Sequence, residues 1–126
     1  MRTVINHPDR PPHPAYSHGI EVKGAERTLY IAGQVGTAAD GSVSADMGEQ
    51  SRQAIANLIA ILAQAGMTSA NIVKLTIFLT DLAHLQAFYG AAFGALSSPP
   101  PATTLLVVKG LADPAYLVEI EAVAAA

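Results

Sequence analysis

The stretch DMGEQSRQAIANLIAILAQAGMTSANIVKLTIFLT, residues 46–80, contains the clearest helix and the clearest strand of this 126-residue sequence. Apolar residues recur at helical spacing through its first half, which predicts a helix running from Asp46 to Gly66. Asp46 is a suitable N-cap, Glu49 stands three residues later as in a capping box, and Gly66 is the expected terminator. Alternation over residues 73–80 predicts a strand whose apolar face is made of Val73, Leu75, Ile77 and Leu79.

A second helix is predicted after this strand. Asp81 can cap it, and Gly94 and the proline run at 99–101 would end it. Its apolar stripe would consist of Leu82, Leu85, Phe88, Tyr89 and Phe93. Four further strands are predicted from period-2 patterns bounded by turn residues, at 17–23, 28–33, 102–109 and 116–123. The resulting order is ββαβαββ, with room for one short strand at the N-terminus, and the length suits a single domain over 1–126.

The strand that begins in ATTLLVV, residues 102–108, is apolar on both of its faces. Phe78 and Val123 also point away from the side that the helices would cover. Two helices can cover one face of such a sheet, and a strand that is apolar on both sides is buried on both sides. We therefore expect the second face to be covered by other copies of the chain in a homo-oligomer.

Composition excludes several classes of function. The sequence has no Cys, which removes disulfides, thiolate metal sites and cysteine nucleophiles. Its formal net charge is −3 and its seven Lys and Arg are scattered, which argues against a nucleic-acid partner. No secretory signal or membrane-spanning run is visible. These features predict a cytoplasmic protein without a membrane association.

Few residues indicate chemistry by spacing alone. Glu119 and Glu121 share one face of the last strand, and spacing by itself favours a solvated outer face for them. No pair among His7, His13, His18 and His84 has the spacing of metal ligands on a helix, so no metal site is predicted. Phosphate-binding loops and a G-x-S-x-G serine motif are absent.

Several segments together resemble the Rid/YjgF family of reactive-intermediate deaminases, also called L-PSP-type proteins. They are PAYSHGIEV (14–22), LYIAGQVG (29–36), the stretch 48–82, PPAT (100–103) and LVEIEAVA (117–124), and they occur in the order of the family. The resemblance implies a chorismate-mutase-like α+β fold, with two helices on one face of a mixed sheet. It also implies a homotrimer with a central barrel, clefts between subunits, and hydrolysis of 2-imino or enamine acids without a cofactor or metal.

The resemblance also implies roles for individual residues. Glu119 matches the glutamate that activates or orients water, while Tyr16 and the backbone of Gly33 match parts of the substrate cleft. Thr103 stands where the deaminases carry the arginine that binds the substrate carboxylate. Leu105 and Tyr89 replace a common cysteine and asparagine and would make the cleft wall more apolar.

A threonine cannot supply the bidentate, charged contact of a guanidinium. Ordinary 2-iminopropanoate deaminase activity is therefore not expected. We expect a less charged small-molecule ligand instead. Three functions stay open from the sequence. They are hydrolysis of another imine, enamine or carbonyl compound, non-catalytic metabolite binding, and the endoribonuclease or translation-inhibitor activity ascribed to some relatives.

Overall fold

The computed structural model describes residues 2–96 and 98–126, and its order of elements agrees with the predicted one, including the additional N-terminal strand. The strands are β1 (Arg2–Ile5), β2 (Gly19–Val22), β3 (Thr28–Val35), β4 (Ile72–Leu79), β5 (Ala102–Val107) and β6 (Val118–Ala125). The helices are α1 (Met47–Gln64) and α2 (Leu85–Ala92), with short 3-10 turns at Ser69–Asn71 and Leu82–His84.

Four strands form a mixed sheet in the order β3-β6-β4-β5, in which β4 and β5 are parallel and the other pairs are antiparallel. Strands β1 and β2 pair with each other as a separate antiparallel ribbon. Ser17 joins this ribbon to the start of β5, because its N–H donates to the Pro101 carbonyl over 3.1 Å. The predicted α+β architecture, with two helices on one face of a mixed sheet, is confirmed.

The sheet has an inner face, which the helices cover, and an outer face. Register places Leu75, Ile77 and Leu79 of β4 beside Ala122, Ile120 and Val118 of β6, and all six side chains are buried. They pack with Leu58, Leu62 and Phe88 from the helices. The alternate residues, which include Phe78, Glu119, Glu121 and Leu106, lie on the outer face.

Helix α1 begins and ends as predicted, but its capping box is different. The Asp46 carboxylate accepts a hydrogen bond from the Glu49 N–H at 2.9 Å. The Asp46 N–H donates to the Ser44 hydroxyl at 3.1 Å and not to Glu49, whose carboxylate accepts from Ser44 instead. At the other end Gly66 has φ 69°, and the crossed bonds from the N–H groups of residues 66 and 67 to the carbonyls of residues 63 and 62 close the helix.

The apolar stripe predicted for α2 is wrong in most of its members. Phe88 is 2% exposed, but Tyr89 is 37%, Leu82 is 64% and Phe93 is 91% exposed. The helix has eight residues, so Leu82 lies in the preceding 3-10 turn, which Asp81 caps, and Phe93 lies in extended backbone after the helix. Helical spacing does not hold across these breaks, and the side chains therefore do not share one face.

The predicted face of β4 is wrong at Val73. Ile72 is buried in its place, and the pairing with β6 shifts by one residue between Ile72 and Lys74. An extra residue in one strand reverses which positions point inward beyond it. The alternation predicted from Leu75 onward is confirmed, since Leu75, Ile77 and Leu79 are all buried.

Among residues 2–96 and 98–126, no helix is long and apolar enough to cross a bilayer.

Candidate functional site

A cleft of about 510 Å³ lies beside α2 on the inner side of the sheet. It is walled by aromatic, aliphatic and proline side chains, with few polar groups. Among the described residues that line it, none is Asp, Glu, Lys, Arg or His. The residues on which the chemistry of the cleft depends are Tyr16, Phe88, Tyr89, Phe93, Pro101 and Thr103.

Backbone hydrogen bonds hold the proline segment that forms one wall of this cleft. The hydroxyl of Ser17 donates to the Pro100 carbonyl at 2.5 Å, and its N–H donates to the Pro101 carbonyl at 3.1 Å. The guanidinium of Arg2 donates to the Pro99 carbonyl at 2.9 Å and to the Ala70 carbonyl at 2.6 Å. Burial lowers the pKa of the Arg2 guanidinium, which nevertheless stays protonated at any ordinary pH. The wall is therefore held at three successive carbonyls.

Thr103 enters the cleft from β5, where it pairs with Leu75. Its hydroxyl donates a hydrogen bond to the Pro101 carbonyl at 3.0 Å. A hydroxyl has one proton and two lone pairs, so this bond uses the one donor that Thr103 has. The Thr103 hydroxyl can then interact with a ligand as a hydrogen-bond acceptor.

Tyr16 lines the cleft and belongs to a row of aromatic rings. Its ring stacks on His13 with centroids 4.4 Å apart and is tilted against His18 at 5.9 Å. His18 is fixed in turn, because its Nδ1 accepts from the backbone N–H of His7 at 2.8 Å and its own backbone N–H donates to Oδ1 of Asn6. The sequence prediction left Tyr16 open between a solvated loop residue and a pocket donor, and the structure places it in the lining.

Within the described part of the chain, no group of three or more His, Asp or Glu side chains is arranged to hold a metal ion.

Glu119 and Gly33 lie together on the outer face. Strand β3 carries one extra residue there, since Ile31 pairs with Ala122 whereas Gln34 pairs with Ile120. A Cβ built on Gly33 would lie 2.6 Å from Cδ and 2.8 Å from Cγ of Glu119. The carboxylate of Glu119 thus occupies the space that the glycine leaves open.

The sheet therefore divides the sequence-predicted residues into two groups. Tyr16, Tyr89 and Thr103 meet in the inner cleft, and Gly33 and Glu119 meet on the outer face. Leu105 belongs to neither group, because it is half-buried against the core and is not part of the cleft lining. One protomer cannot bring the two groups into a single cavity.

A second, more polar depression of about 380 Å³ lies on the outer face, lined by Tyr30, Lys74, Thr76 and Glu121 among others. The ammonium of Lys74 donates to the Thr104 hydroxyl at 2.7 Å. Sequence reasoning singled out Glu121 of this group but not Lys74 or Thr76, although the alternation of β4 already placed these two side chains on one face.

Comparison with known proteins assigns the family. A profile of the family described as Endoribonuclease L-PSP matches residues 7–126. The mitochondrial protein mmf1 of Schizosaccharomyces pombe is 31% identical over 125 residues, which are 98% of this chain and 75% of that protein. The chain therefore belongs to the L-PSP family, which includes proteins named Rid and YjgF, and the family resemblance drawn from the sequence is confirmed.

Two further relatives bear on structure and chemistry. The solved structure of the Rid-family protein YyfB from Yersinia pestis, described as of unknown function, has a TM-score of 0.85 at 37% identity. That match covers 99% of this chain and 98% of the other. Human 2-iminobutanoate/2-iminopropanoate deaminase is 38% identical over 69 residues, which are 53% of this chain and 48% of the human protein.

Proposed function

We propose that the protein is a homotrimer with a central barrel that hydrolyses an imine, an enamine or a related carbonyl metabolite between subunits. The observation that carries this proposal is the division of the site by the sheet. Glu119 with Gly33, and Tyr16 with Thr103, face opposite sides of one protomer. A boundary between copies, in which one outer face meets the next cleft, would join the two halves.

The exposed apolar side chains of the outer face support such a boundary. Leu106 is 45% exposed and lies on the same face as Glu119, opposite Phe78 in the register. Large apolar groups that are left in water at this face gain free energy when another copy covers them.

Glu119 would act as the general base in this site. Its carboxylate takes a proton from water as the water oxygen attacks the imine carbon, and it then gives that proton to the imine nitrogen. The same carboxylate next carries the proton of the new hydroxyl to the nitrogen as the C–N bond of the tetrahedral intermediate breaks, which releases ammonia and leaves a carbonyl product. The backbone at Gly33 is free of a side chain and can approach the reacting group closely. Each step uses groups of the chain and water, without a cofactor or metal.

Thr103 sets the limit on the substrate. It brings no positive charge to the cleft, whereas a carboxylate ligand needs one. We therefore expect weak or no turnover of 2-iminopropanoate, one of the two compounds in the name of the human relative. Imines without a carboxylate should be better substrates.

The test follows ammonia release from freshly generated 2-iminopropanoate and from neutral aryl imines whose nitrogen is unsubstituted, with Glu119→Gln as the test variant. Glu121→Gln is the matched control, since Glu121 lies two residues away on the same strand and face. Loss of a general base costs about 10²–10⁴-fold in rate, so Glu119→Gln should lose that much and Glu121→Gln little. Equal rates for wild type and Glu119→Gln would refute the role of Glu119.

Subunit mixing tests the shared site. A mixture of Glu119→Gln and Tyr16→Ala subunits, exchanged through mild denaturant, should regain activity that neither variant has alone, up to about a quarter of wild type for random mixing. Sedimentation of the wild type as a folded monomer at micromolar concentration would refute the trimer and the shared site with it.

A non-catalytic metabolite binder is the second candidate, and the neutral Thr103 favours it. Saturable binding of an imine or enamine without ammonia release would support this candidate. The endoribonuclease in the family description is not proposed for this chain, because its net charge is −3 and its basic residues are dispersed. A cytoplasmic location stays a prediction, since the S. pombe relative is described as mitochondrial.

A further inference from the structure

We infer that the inner cleft selects a neutral ligand that has a ring and an N–H or O–H group. The Oγ1 atom of Thr103 accepts a hydrogen bond from that group. This inference rests on the proposed function in one respect, that the cleft is the ligand site. It names the class of compound that enters, whereas the catalytic proposal concerns Glu119 on the other face.

The first argument is the direction of one hydrogen bond. Thr103 donates its hydroxyl proton to the Pro101 carbonyl at 3.0 Å. That carbonyl is itself held, because it also accepts the Ser17 N–H at 3.1 Å. With that proton donated, the hydroxyl oxygen of Thr103 can act toward a ligand as an acceptor, and a ligand acceptor such as a carboxylate finds no donor in it.

The second argument is the absence of charge around Thr103. None of the described lining residues carries a charge, so a carboxylate that entered would lose its hydration without a compensating cation. Arg2 is close in the fold, but its guanidinium donates to the carbonyls of Ala70 and Pro99, and Arg2 is not part of the cleft lining.

The third argument is shape. Rings of Tyr16, Phe88, Tyr89 and Phe93 line a cleft of about 510 Å³. Phe88 and Tyr89 form an edge-to-face pair with centroids 5.9 Å apart, and Phe93 is 91% exposed at the edge. A planar ring can stack in such surroundings, while a three-carbon acid would leave most of the volume to water.

The experiment measures binding alone, by calorimetry or ligand-observed NMR, so that it does not depend on turnover. The probes are benzamide and benzoate, which share a ring and differ in charge and donor, with acetamide as the probe without a ring. We expect benzamide to bind wild type at least tenfold more tightly than either benzoate or acetamide. Benzoate binding as tightly as benzamide would overturn the inference.

Two substitutions at Thr103 sharpen the test. Thr103→Val keeps the shape of the side chain but removes its hydrogen-bond acceptor. It should weaken the binding of benzamide at least fivefold. Thr103→Arg should reverse the preference toward benzoate. Thr104→Val, the same substitution one residue along β5 and outside the cleft lining, is the matched control and should leave all three affinities unchanged. Unaltered benzamide binding in Thr103→Val would contradict the role of the hydroxyl.

The results also separate this inference from the catalytic one. Selective benzamide binding with no imine turnover would support the ligand class and reject the enzyme. No binding of any probe, together with a lower oligomer mass for Phe93→Ser, would overturn the inference and assign the cleft to contact between copies of the chain.

Discussion

The two faces of the four-stranded sheet differ in what covers them, although the same backbone ladder supports both. On the inner face, Leu79 and Ile120 are at most 2% exposed beneath the helices. On the outer face, Leu106 is 45% and Tyr30 is 78% exposed, and Glu119 and Glu121 lie there opposite Phe78 and Thr76 of β4. The contrast indicates that the inner face stabilises the fold of one chain, whereas the outer face serves assembly and chemistry in our proposal.

The largest effect is expected from substitutions that remove buried side chains from the inner face. Leu79→Ala should lower the free energy of unfolding by about 2–5 kcal/mol, because it removes a fully buried side chain and leaves a cavity. Ile77→Val should lose about 1 kcal/mol at the same face. Denaturant titration at several protein concentrations measures both losses, which should not depend on concentration.

Leu106→Ser is the outer-face counterpart of these changes. Its loss of stability relative to wild type should be largest at high protein concentration and should shrink on dilution, because assembly stabilises the folded chain by mass action and dilution removes that contribution from the wild type as well. Losses that are equal and independent of concentration at both faces would contradict the division of roles.

The next largest effect is expected from substitutions of two glycines, Gly33 on β3 and Gly36 directly after this strand. A Cβ at Gly36 would lie 2.7 Å from the backbone Cα and carbonyl oxygen of Gln50, so Gly36→Ala should cost about 1–3 kcal/mol of stability. At Gly33 the neighbour is the flexible side chain of Glu119, so Gly33→Ala should fold normally and lose activity as that carboxylate moves. Denaturant unfolding and ammonia release measure the pair. A Gly33→Ala protein that is fully active would show that the close approach is not needed.

A smaller effect is expected at the start of α1, the helix that covers the inner face. Asp46→Ala removes the acceptor of the Glu49 N–H and should lower stability by about 1 kcal/mol. Turnover per folded molecule should not change, since Asp46 lies in neither half of the proposed site. Thermal unfolding and ammonia release together check this expectation, and a change in turnover would show coupling between α1 and the outer face.

The smallest effect concerns a turn that belongs to neither face. The hydroxyl and backbone N–H of Ser42 hold the pKa of Asp40 below its ordinary value of 3.8. A lowered folded pKa contributes stability above the unfolded pKa, and this contribution is lost as the pH falls through the folded pKa. Wild type should therefore lose slightly more stability than Asp40→Asn during acid titration below about pH 4. Identical pH dependence of the two proteins would contradict the effect of Ser42.

Local patterns predicted a large part of the fold. The cap at Asp46, the terminator at Gly66 and the helical spacing between them all lie within one segment, so α1 could be predicted from the sequence. The same holds for the outward position of Glu119, because alternation in β6 continues without a shift over residues 118–125. The exposure of Phe93 and the burial of Ile72 could not be predicted in this way, since each depends on where regular structure is interrupted.

The sequence by itself determined the elements, their order, the family, and the presence of the uncharged Thr103 at the entrance to β5. Only the tertiary structure decided that Thr103 and Glu119 lie on opposite sides of the sheet and that Ser17 and Arg2 hold the proline wall of the cleft. The physical reason is that these facts arise from strand register and from carbonyls held by distant residues, Ser17 and Arg2. Pairings of that kind join segments up to 97 residues apart and leave no signature in local periodicity.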